Sequence, residues 1–258
     1  MKIKKYTKDK GNKYKVLIDD TNYILFDDVI VKYSLLLKDE ISEKELKTIV
    51  EENDKLSSYY DSIKYITKKM RSKLEIIEFL RKKMVNEKVI DETIKRLEDN
   101  HFLNEELFIK AYVNDQINLT NNGKNKILKG LIKLGIDWDS ASTYLDNIDN
   151  EIFIAKINKY IDKKISTNKN SSTIMLKNKI MTDLINLGYE KGDVVEVLNS
   201  KSINDEDARK REYEKIRKSL EKKYSGDVLE YKIREKLYRK GFRSNKSKQS
   251  NILLTKLK

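Results

Sequence analysis

A repeat of about 50 residues constrains the fold of this chain more than any other feature of its sequence. One leucine recurs at intervals of 51, 53 and 53 residues, at Leu80, Leu131, Leu184 and Leu237. An isoleucine stands four residues before each of them, at Ile76, Ile127, Ile180 and Ile233. Residues four apart share one face of an α-helix, and such repeats are typical of arrays in which neighbouring units bury each other's helices. The pattern therefore favours a tandem helical array over an irregular all-α domain with coincidental spacing.

The residues that follow each leucine predict how these helices end. The fourth residue after it is methionine in the first unit and glycine in the others: Met84, Gly135, Gly188 and Gly241. An apolar residue comes next in every unit: Val85, Ile136, Tyr189 and Phe242. Glycine readily adopts the positive φ that ends many helices, and the apolar residue after it packs back onto the helix. A helix before each stripe and another after it make three helices per unit, and the last of them would carry Ile252, Leu253 and Leu254.

The first 56 residues have a different pattern. Alternating apolar residues over 13–18, turn residues over 19–22 and an apolar run over 23–26 predict a β-hairpin. The capping-box pair Ser42 and Glu45 predicts a helix that continues to about Val50.

These patterns together predict a mainly α protein, an elongated curved array of tandem three-helix repeats with a small N-terminal β-hairpin element. The first helix of the array is expected from Tyr59 to Met70. We expect the N-terminal region and four helical units to occupy residues 1–56, 57–103, 104–150, 151–203 and 204–258.

The composition excludes several kinds of site. The chain has no cysteine, which excludes disulfides, thiolate metal sites and cysteine nucleophiles, and its one histidine, His101, lies in a predicted turn between helices. Paired acidic residues fall at turns and helix starts, where capping accounts for them. We therefore expect no catalytic residue, no metal and no cofactor. No apolar run approaches the roughly 18 residues of a membrane span, so we expect a cytoplasmic protein without membrane contact. We also expect a monomer.

Positive charge is concentrated near the C-terminus. The chain has a net charge of +13, of which residues 204–258 carry +9. Five basic residues lie along one side of a predicted helix in this region: Lys232, Lys236, Arg239, Lys240 and Arg243. A second basic cluster surrounds a helix junction in the first unit: Lys69, Arg71, Arg81 and Lys82. Basic surfaces of this kind are typical of proteins that bind nucleic acid or acidic proteins.

Charge alone leaves a second interpretation open, a solvated face crossed by salt bridges. Three acid–base pairs have the i,i+4 spacing that supports ion pairs on a helix: Glu214–Lys218, Glu230–Arg234 and Glu235–Arg239. Tyr60, Tyr65 and Tyr112 fall mostly on packing stripes, so the sequence predicts no aromatic series for stacking single-stranded bases.

Three segments of the chain resemble the RecX family of recombination regulators. Residues 26–33, FDDVIVKY, with 38–42, KDEIS, are similar to the N-terminal part of clostridial-type members. Residues 65–72, YITKKMRS, resemble the family's helix-junction motif. Residues 89–108 resemble its signature Gly-Tyr-(Leu/Ile)-(Asp/Asn)-Asp-x-x-Phe, with His101-Phe102 in place of Gly-Tyr. The similarity extends over nearly the whole chain and is most specific over residues 57–136.

This resemblance implies a tandem three-helix-repeat protein that is not an enzyme. It implies binding to the recombinase RecA on single-stranded DNA and modulation of that filament, mostly inhibition of recombinase, ATPase and coprotease activity in DNA repair and the SOS response. The nine basic residues of the two clusters are then candidate contacts for the recombinase or for DNA directly. Two alternatives remain, a nucleic-acid-binding helical-repeat protein without a recombinase partner and a structural helical scaffold. Whether DNA binding requires the recombinase separates these alternatives from a RecA regulator.

Overall fold

The structure is a computed structural model that describes residues 1–243 of the 258-residue chain. Within these residues it contains a three-stranded antiparallel sheet, twelve α-helices and one short 3-10 helix, so the predicted mainly α class is confirmed. Ile252, Leu253 and Leu254, on which the last helix was predicted, lie outside the described residues. The described residues divide into two compact units, Met1–Tyr112 with Leu131–Ser140, and Val113–Gly130 with residues 141–243.

The elements follow each other along the chain with short connections. The strands are β1 (Ile3–Lys8), β2 (Lys13–Ile18) and β3 (Thr21–Phe26). The first helices are α1 (Asp27–Lys32), α2 (Glu43–Ile66), α3 (Lys73–Lys82), α4 (Glu87–Asp99), α5 (Glu105–Leu119) and α6 (Lys124–Lys133). The remaining helices are α7 (Trp138–Asp146), α8 (Asn150–Ser166), α9 (Thr173–Asn186), α10 (Lys191–Ser200), α11 (Glu206–Leu220) and α12 (Gly226–Arg239). The 3-10 helix Leu35–Leu37 lies between α1 and α2.

The N-terminal sheet is larger than the predicted hairpin. The pairing of β2 with β3 matches the expected hairpin, and its loop consists of Asp19 and Asp20 alone, with Asp19 at φ 49°. β1 adds a third strand, paired antiparallel to β2. Its sequence, IKKYTK, hides the strand signal because three lysines accompany only two half-buried residues, Ile3 and Tyr6. Charged edge strands are common because charge discourages pairing with other chains.

One long helix replaces two predicted ones. We expected a helix through about Val50 and another from Tyr59 to Met70, whereas α2 runs without a break and ends at Ile66. The polar stretch between the two predicted helices stays helical because the side chain of Asn53 forms hydrogen bonds with the backbone of β3. Its side-chain oxygen accepts a hydrogen bond from the Phe26 N–H at 2.9 Å, and its amide donates to the Ile24 carbonyl at 3.1 Å. A tertiary contact therefore accounts for the asparagine that the sequence pattern presents as a break.

The predicted helix ends are confirmed at all four repeated leucines. Met84, Gly135, Gly188 and Gly241 have φ values between 60° and 88°. The N–H of the next residue donates to the carbonyl of the leucine at 3.0–3.2 Å in every case: Val85 to Leu80, Ile136 to Leu131, Tyr189 to Leu184 and Phe242 to Leu237. This is the Schellman arrangement, and the repeated leucines and isoleucines before it are all buried.

Two of these glycines lie where helices of the second unit meet. A Cβ atom on Gly188 would lie 2.4 Å from the backbone nitrogen of Lys126, and one on Gly241 would lie 2.7 Å from Ser172 Oγ. The Ser172 hydroxyl accepts a hydrogen bond from the Met175 N–H at the start of α9 and donates one to the Lys240 carbonyl at 2.8 Å. The end of α12 therefore packs closely against the beginning of α9.

Candidate nucleic-acid interface

Helices α11 and α12 form a C-terminal helix pair with a small core of its own. Ala208, Ile216 and Leu220 of α11 are buried against Ile233 and Leu237 of α12. A side-chain hydrogen bond also joins the helices, in which the Tyr213 hydroxyl donates to Glu230 Oε1 at 2.6 Å and raises the pKa of Tyr213. The apolar stripe leaves the other sides of both helices to polar and charged residues.

A groove between the two helices collects basic side chains from both of them. It has a volume of about 380 Å³ and is lined by Glu212, Lys215, Ile216, Ser219, Lys236, Arg239 and Lys240. We call these residues the basic groove. It contains three of the five basic residues predicted on α12 and adds Lys215 from α11, a residue that the α12 stripe could not reveal. Four cations and one carboxylate therefore face this groove.

Ion pairs neutralise part of this positive charge. Glu235 accepts hydrogen bonds from Lys232 at 3.2 Å and Arg239 at 2.5 Å, and the hydrogen bond from Lys232 is the largest cause that holds the pKa of Glu235 below its usual value. Lys240 pairs with Glu212 at 2.5 Å. Within residues 1–243, Lys215 and Lys236 have no acidic partner. Lys215 and Lys236 therefore add positive charge to the groove that no ion pair within residues 1–243 neutralises.

The other two predicted residues of α12 lie outside this groove. Lys232 forms an ion pair with Glu235 and lies one helical turn before Lys236, outside the groove. Arg243 follows the helix and places its guanidinium 4.1 Å from the centre of the Tyr238 ring. The structure therefore brings Lys236, Arg239 and Lys240 together and separates them from Arg243.

The predicted cluster in the first unit is more dispersed. Arg71 and Arg81 lie at opposite ends of α3, a helix about 15 Å long. Arg71 is half-buried, pairs with Glu75 at 2.8 Å and lies 4.1 Å above the Tyr65 ring. Arg81 makes two hydrogen bonds to Glu87, at 2.8 and 2.9 Å, which lower the pKa of that carboxyl.

Lys69 and Lys82 complete the first-unit cluster. Both are exposed, Lys69 in the turn after α2 and Lys82 at the end of α3. Neither has an ion-pair partner in the part of the chain that the structure describes. Because the two arginines are engaged in ion pairs, these four residues do not form one continuous free surface.

Only one of the three helical ion pairs suggested by spacing forms. Glu235 pairs with Arg239, but Glu230 accepts the Tyr213 hydroxyl and leaves Arg234 without an acidic partner among the described residues. No pair between Glu214 and Lys218 is present in that region either. The face of α12 therefore carries salt bridges at Glu235 and at Lys240, while Lys236 and Arg234 stay unpaired among the described residues.

The single histidine occupies a structural position. His101 has φ 60° at the end of α4, where its N–H donates to the Glu98 carbonyl and the next N–H, from Phe102, donates to Leu97. This confirms the interpretation of His101 as a residue at a helix end. Within residues 1–243 there is no group of three or more His, Cys, Asp or Glu that could hold a metal ion. No helix in that range has the length and apolar character needed to cross a bilayer.

Comparison with known proteins gives a consistent result. A family model described as the first three-helix domain of RecX matches residues 59–97. Proteins called "Regulatory protein RecX" from Oceanobacillus iheyensis and Bacillus cytotoxicus are 29% and 28% identical to this chain. The alignments cover 92% and 94% of it, and 86% and 92% of the relatives. The chain is thus similar to RecX proteins over more than nine tenths of its length. Its resemblance to that family in sequence is thereby confirmed.

Two solved RecX structures share the fold. A crystal structure of regulatory protein RecX superposes with a TM-score of 0.65 at 20% identity and covers 78% of this chain and 99% of its own. RecX from Lactobacillus salivarius superposes with a TM-score of 0.53 at 23% identity, over 57% of this chain and 95% of its own. The relatives are named as regulatory proteins.

Proposed function

We propose that this protein binds RecA and the RecA filament on single-stranded DNA, and that it inhibits the recombinase, ATPase and coprotease activities of RecA in DNA repair and the SOS response. It acts as a cytoplasmic monomer and by binding rather than by catalysis. The division of residues 57–258 into four three-helix units stays a prediction, and the fourth unit supplies the main contact.

The observation that supports this proposal is the basic groove of a chain similar to RecX proteins. Lys215 and Lys236 reach it from different helices without acidic partners in the described part of the chain, and Arg239 and Lys240 line the same surface. A concentration of cations attracts DNA phosphates or an acidic protein surface, and this attraction weakens as salt screens it. A nucleoprotein filament presents both kinds of surface to one ligand.

The proposal is tested by titrating the protein into RecA with single-stranded DNA and measuring ATP hydrolysis and strand exchange. We expect both rates to fall to a plateau as the filament saturates, and the concentration needed to rise with salt. Unchanged rates at saturating protein would contradict the proposal.

The uncompensated charge of the groove also supports a second candidate function, nucleic-acid binding without a recombinase partner. In that case the protein would bind DNA equally well with and without RecA and would leave ATP hydrolysis unchanged. Measuring DNA binding in both conditions, in the same buffer as the hydrolysis assay, separates the two functions.

A further inference from the structure

A second surface of α12 carries exposed aromatic rings. Tyr231 and Tyr238 are 66% and 60% exposed, although both are large apolar side chains. They are seven residues apart, so they lie on the same side of the helix and about 10.5 Å apart along its axis. The packing stripe of α12 is already filled by Leu229, Ile233 and Leu237, so the core of the helix pair does not use these rings.

Arginines surround the two tyrosines. A second groove, of about 500 Å³, is lined by Arg209, Tyr231, Arg234, Glu235, Leu237, Tyr238 and Phe242. Arg209 and Arg234 have no ion-pair partner within residues 1–243, and Arg243 covers one side of the Tyr238 ring. We call Arg209, Tyr231, Arg234, Tyr238 and Arg243 the tyrosine face.

Two acidic groups lie near this face. Glu235 lies at its edge and is paired with both Lys232 and Arg239. Asp227 lies one turn before Tyr231, in the first turn of α12, where the helix dipole stabilises a carboxylate. Lys232 lies over one side of the Tyr231 ring, as Arg243 does over the Tyr238 ring. The tyrosine face therefore combines exposed aromatic rings with three arginines.

We propose that the tyrosine face binds single-stranded nucleic acid, with bases stacked on Tyr231 and Tyr238 and phosphates contacted by Arg209 and Arg234. Aromatic rings next to cations are the usual means of holding single strands without sequence preference, because every base has a face that stacks. In a duplex the bases are already stacked on each other and are not available. This inference rests on the proposed function and identifies the DNA strand of the filament as a direct ligand.

The test is binding of a fluorescein-labelled oligothymidylate without recombinase, followed by fluorescence anisotropy. We compare wild type with Tyr231→Ala, Tyr238→Ala and the double variant. Each single change should weaken binding about tenfold, because base stacking on one aromatic residue contributes about 1–3 kcal/mol and tenfold corresponds to about 1.4 kcal/mol. Tyr231→Phe and Tyr238→Phe keep the rings and should bind as wild type does. Tyr224→Ala is the matched control, since Tyr224 is an exposed tyrosine outside the face.

Leucine variants separate stacking from docking of a protein surface. Under the inference, Tyr231→Leu with Tyr238→Leu loses oligothymidylate binding as the alanine variants do, while circular dichroism stays unchanged because both side chains are exposed. If the alanine or leucine variants bind the oligonucleotide as tightly as wild type but lose RecA inhibition, the face docks on the recombinase and the inference is wrong. Wild-type protein that binds no oligothymidylate also overturns it.

The two proposals fail in distinguishable ways. If wild type inhibits RecA while the tyrosine variants keep full oligonucleotide binding, only the inference about the tyrosine face is wrong. If binding depends on the tyrosines but RecA hydrolysis does not respond to the protein, only the proposed function is wrong.

Discussion

Helices α3 and α12 end in the same way, yet their surroundings differ. Both finish in a Schellman turn and carry basic residues in the last turn, Arg81 and Lys82 in α3 and Lys236 and Arg239 in α12. At the positive-φ position α3 has Met84, which is 91% exposed. The corresponding Gly241 of α12 packs against α9.

Charge compensation differs between the two helices as well. Next to α3, Arg71 and Arg81 are each occupied by a carboxylate, and Lys83 pairs with Asp61 at 2.5 Å. On α12, Lys232 and Arg239 share Glu235 and Lys240 pairs with Glu212, while Lys236 has no acidic partner in the region that the structure describes. Lys82 of α3 is also unpaired there, but Lys236 shares a groove with Lys215 of α11. The comparison teaches that the number of basic residues is a weaker guide to a contact surface than whether the unpaired ones are brought together.

The largest expected effect tests the anchoring of α12. Gly241→Ala places a Cβ atom 2.7 Å from Ser172 Oγ at a φ of 80°, so both the contact with α9 and the backbone conformation become strained. We expect the free energy of unfolding in urea to fall by about 2–3 kcal/mol. Gly192→Ala is the control, because no atom lies within 4 Å of its added Cβ and its φ is not positive. Wild-type stability of Gly241→Ala would show that the joint with α9 is not needed.

A smaller effect on the free energy of unfolding should distinguish a basic residue that forms an ion pair from one that is unpaired in the described structure. Arg71→Ala removes the ion pair with Glu75 and the contact with the Tyr65 ring, both half-buried, so we expect a loss of about 1–2 kcal/mol in unfolding free energy. Lys236→Ala should change it by less than about 0.5 kcal/mol, because Lys236 is exposed and unpaired in the described structure. If both variants lost the same unfolding free energy in urea denaturation, Arg71 and Lys236 would not differ in their contribution to stability, which would contradict the comparison.

The smallest effect concerns the exposed turn of α3. Met84→Gly removes the backbone strain of a non-glycine residue at φ 60°. It loses little packing, because Met84 is almost fully exposed. We expect a gain of about 0.5–1 kcal/mol in unfolding free energy. Met84→Ala keeps the Cβ atom and should give no such gain. A destabilised Met84→Gly would mean that the methionine has contacts beyond those in the described structure.

The sequence predicts the repeated helix ends because their signals are local. Gly188 and Tyr189 follow Leu184 at the spacing that a Schellman turn requires, and no distant residue is needed to specify it. β1 escapes prediction because its lysines leave only Ile3 and Tyr6 as inward residues. The sequence does not predict the continuity of α2, because the hydrogen-bond partners of Asn53 lie in β3, far away in sequence.

The candidate site is predictable only in part, for the same reason. The spacing of Lys236, Arg239 and Lys240 places them on one side of a helix, and the structure confirms this grouping. Which cation is neutralised depends on tertiary neighbours: Lys240 meets Glu212 of another helix, 28 residues away. The exposure of Tyr231 and Tyr238 likewise depends on how α11 covers α12. Periodicity alone does not reveal it.

The central claim is that the basic groove is the main contact with the recombinase filament. Its most direct test is the affinity for RecA–single-stranded DNA filaments of the triple variant Lys236→Glu, Arg239→Glu and Lys240→Glu. The matched control reverses three exposed lysines outside both candidate clusters, Lys64, Lys88 and Lys95, and so changes the net charge equally. We predict that the groove variant binds at least about tenfold more weakly than the control at low salt, with helicity and melting near wild type. Equal affinity of wild type and the groove variant would contradict the account and move the contact elsewhere in the chain.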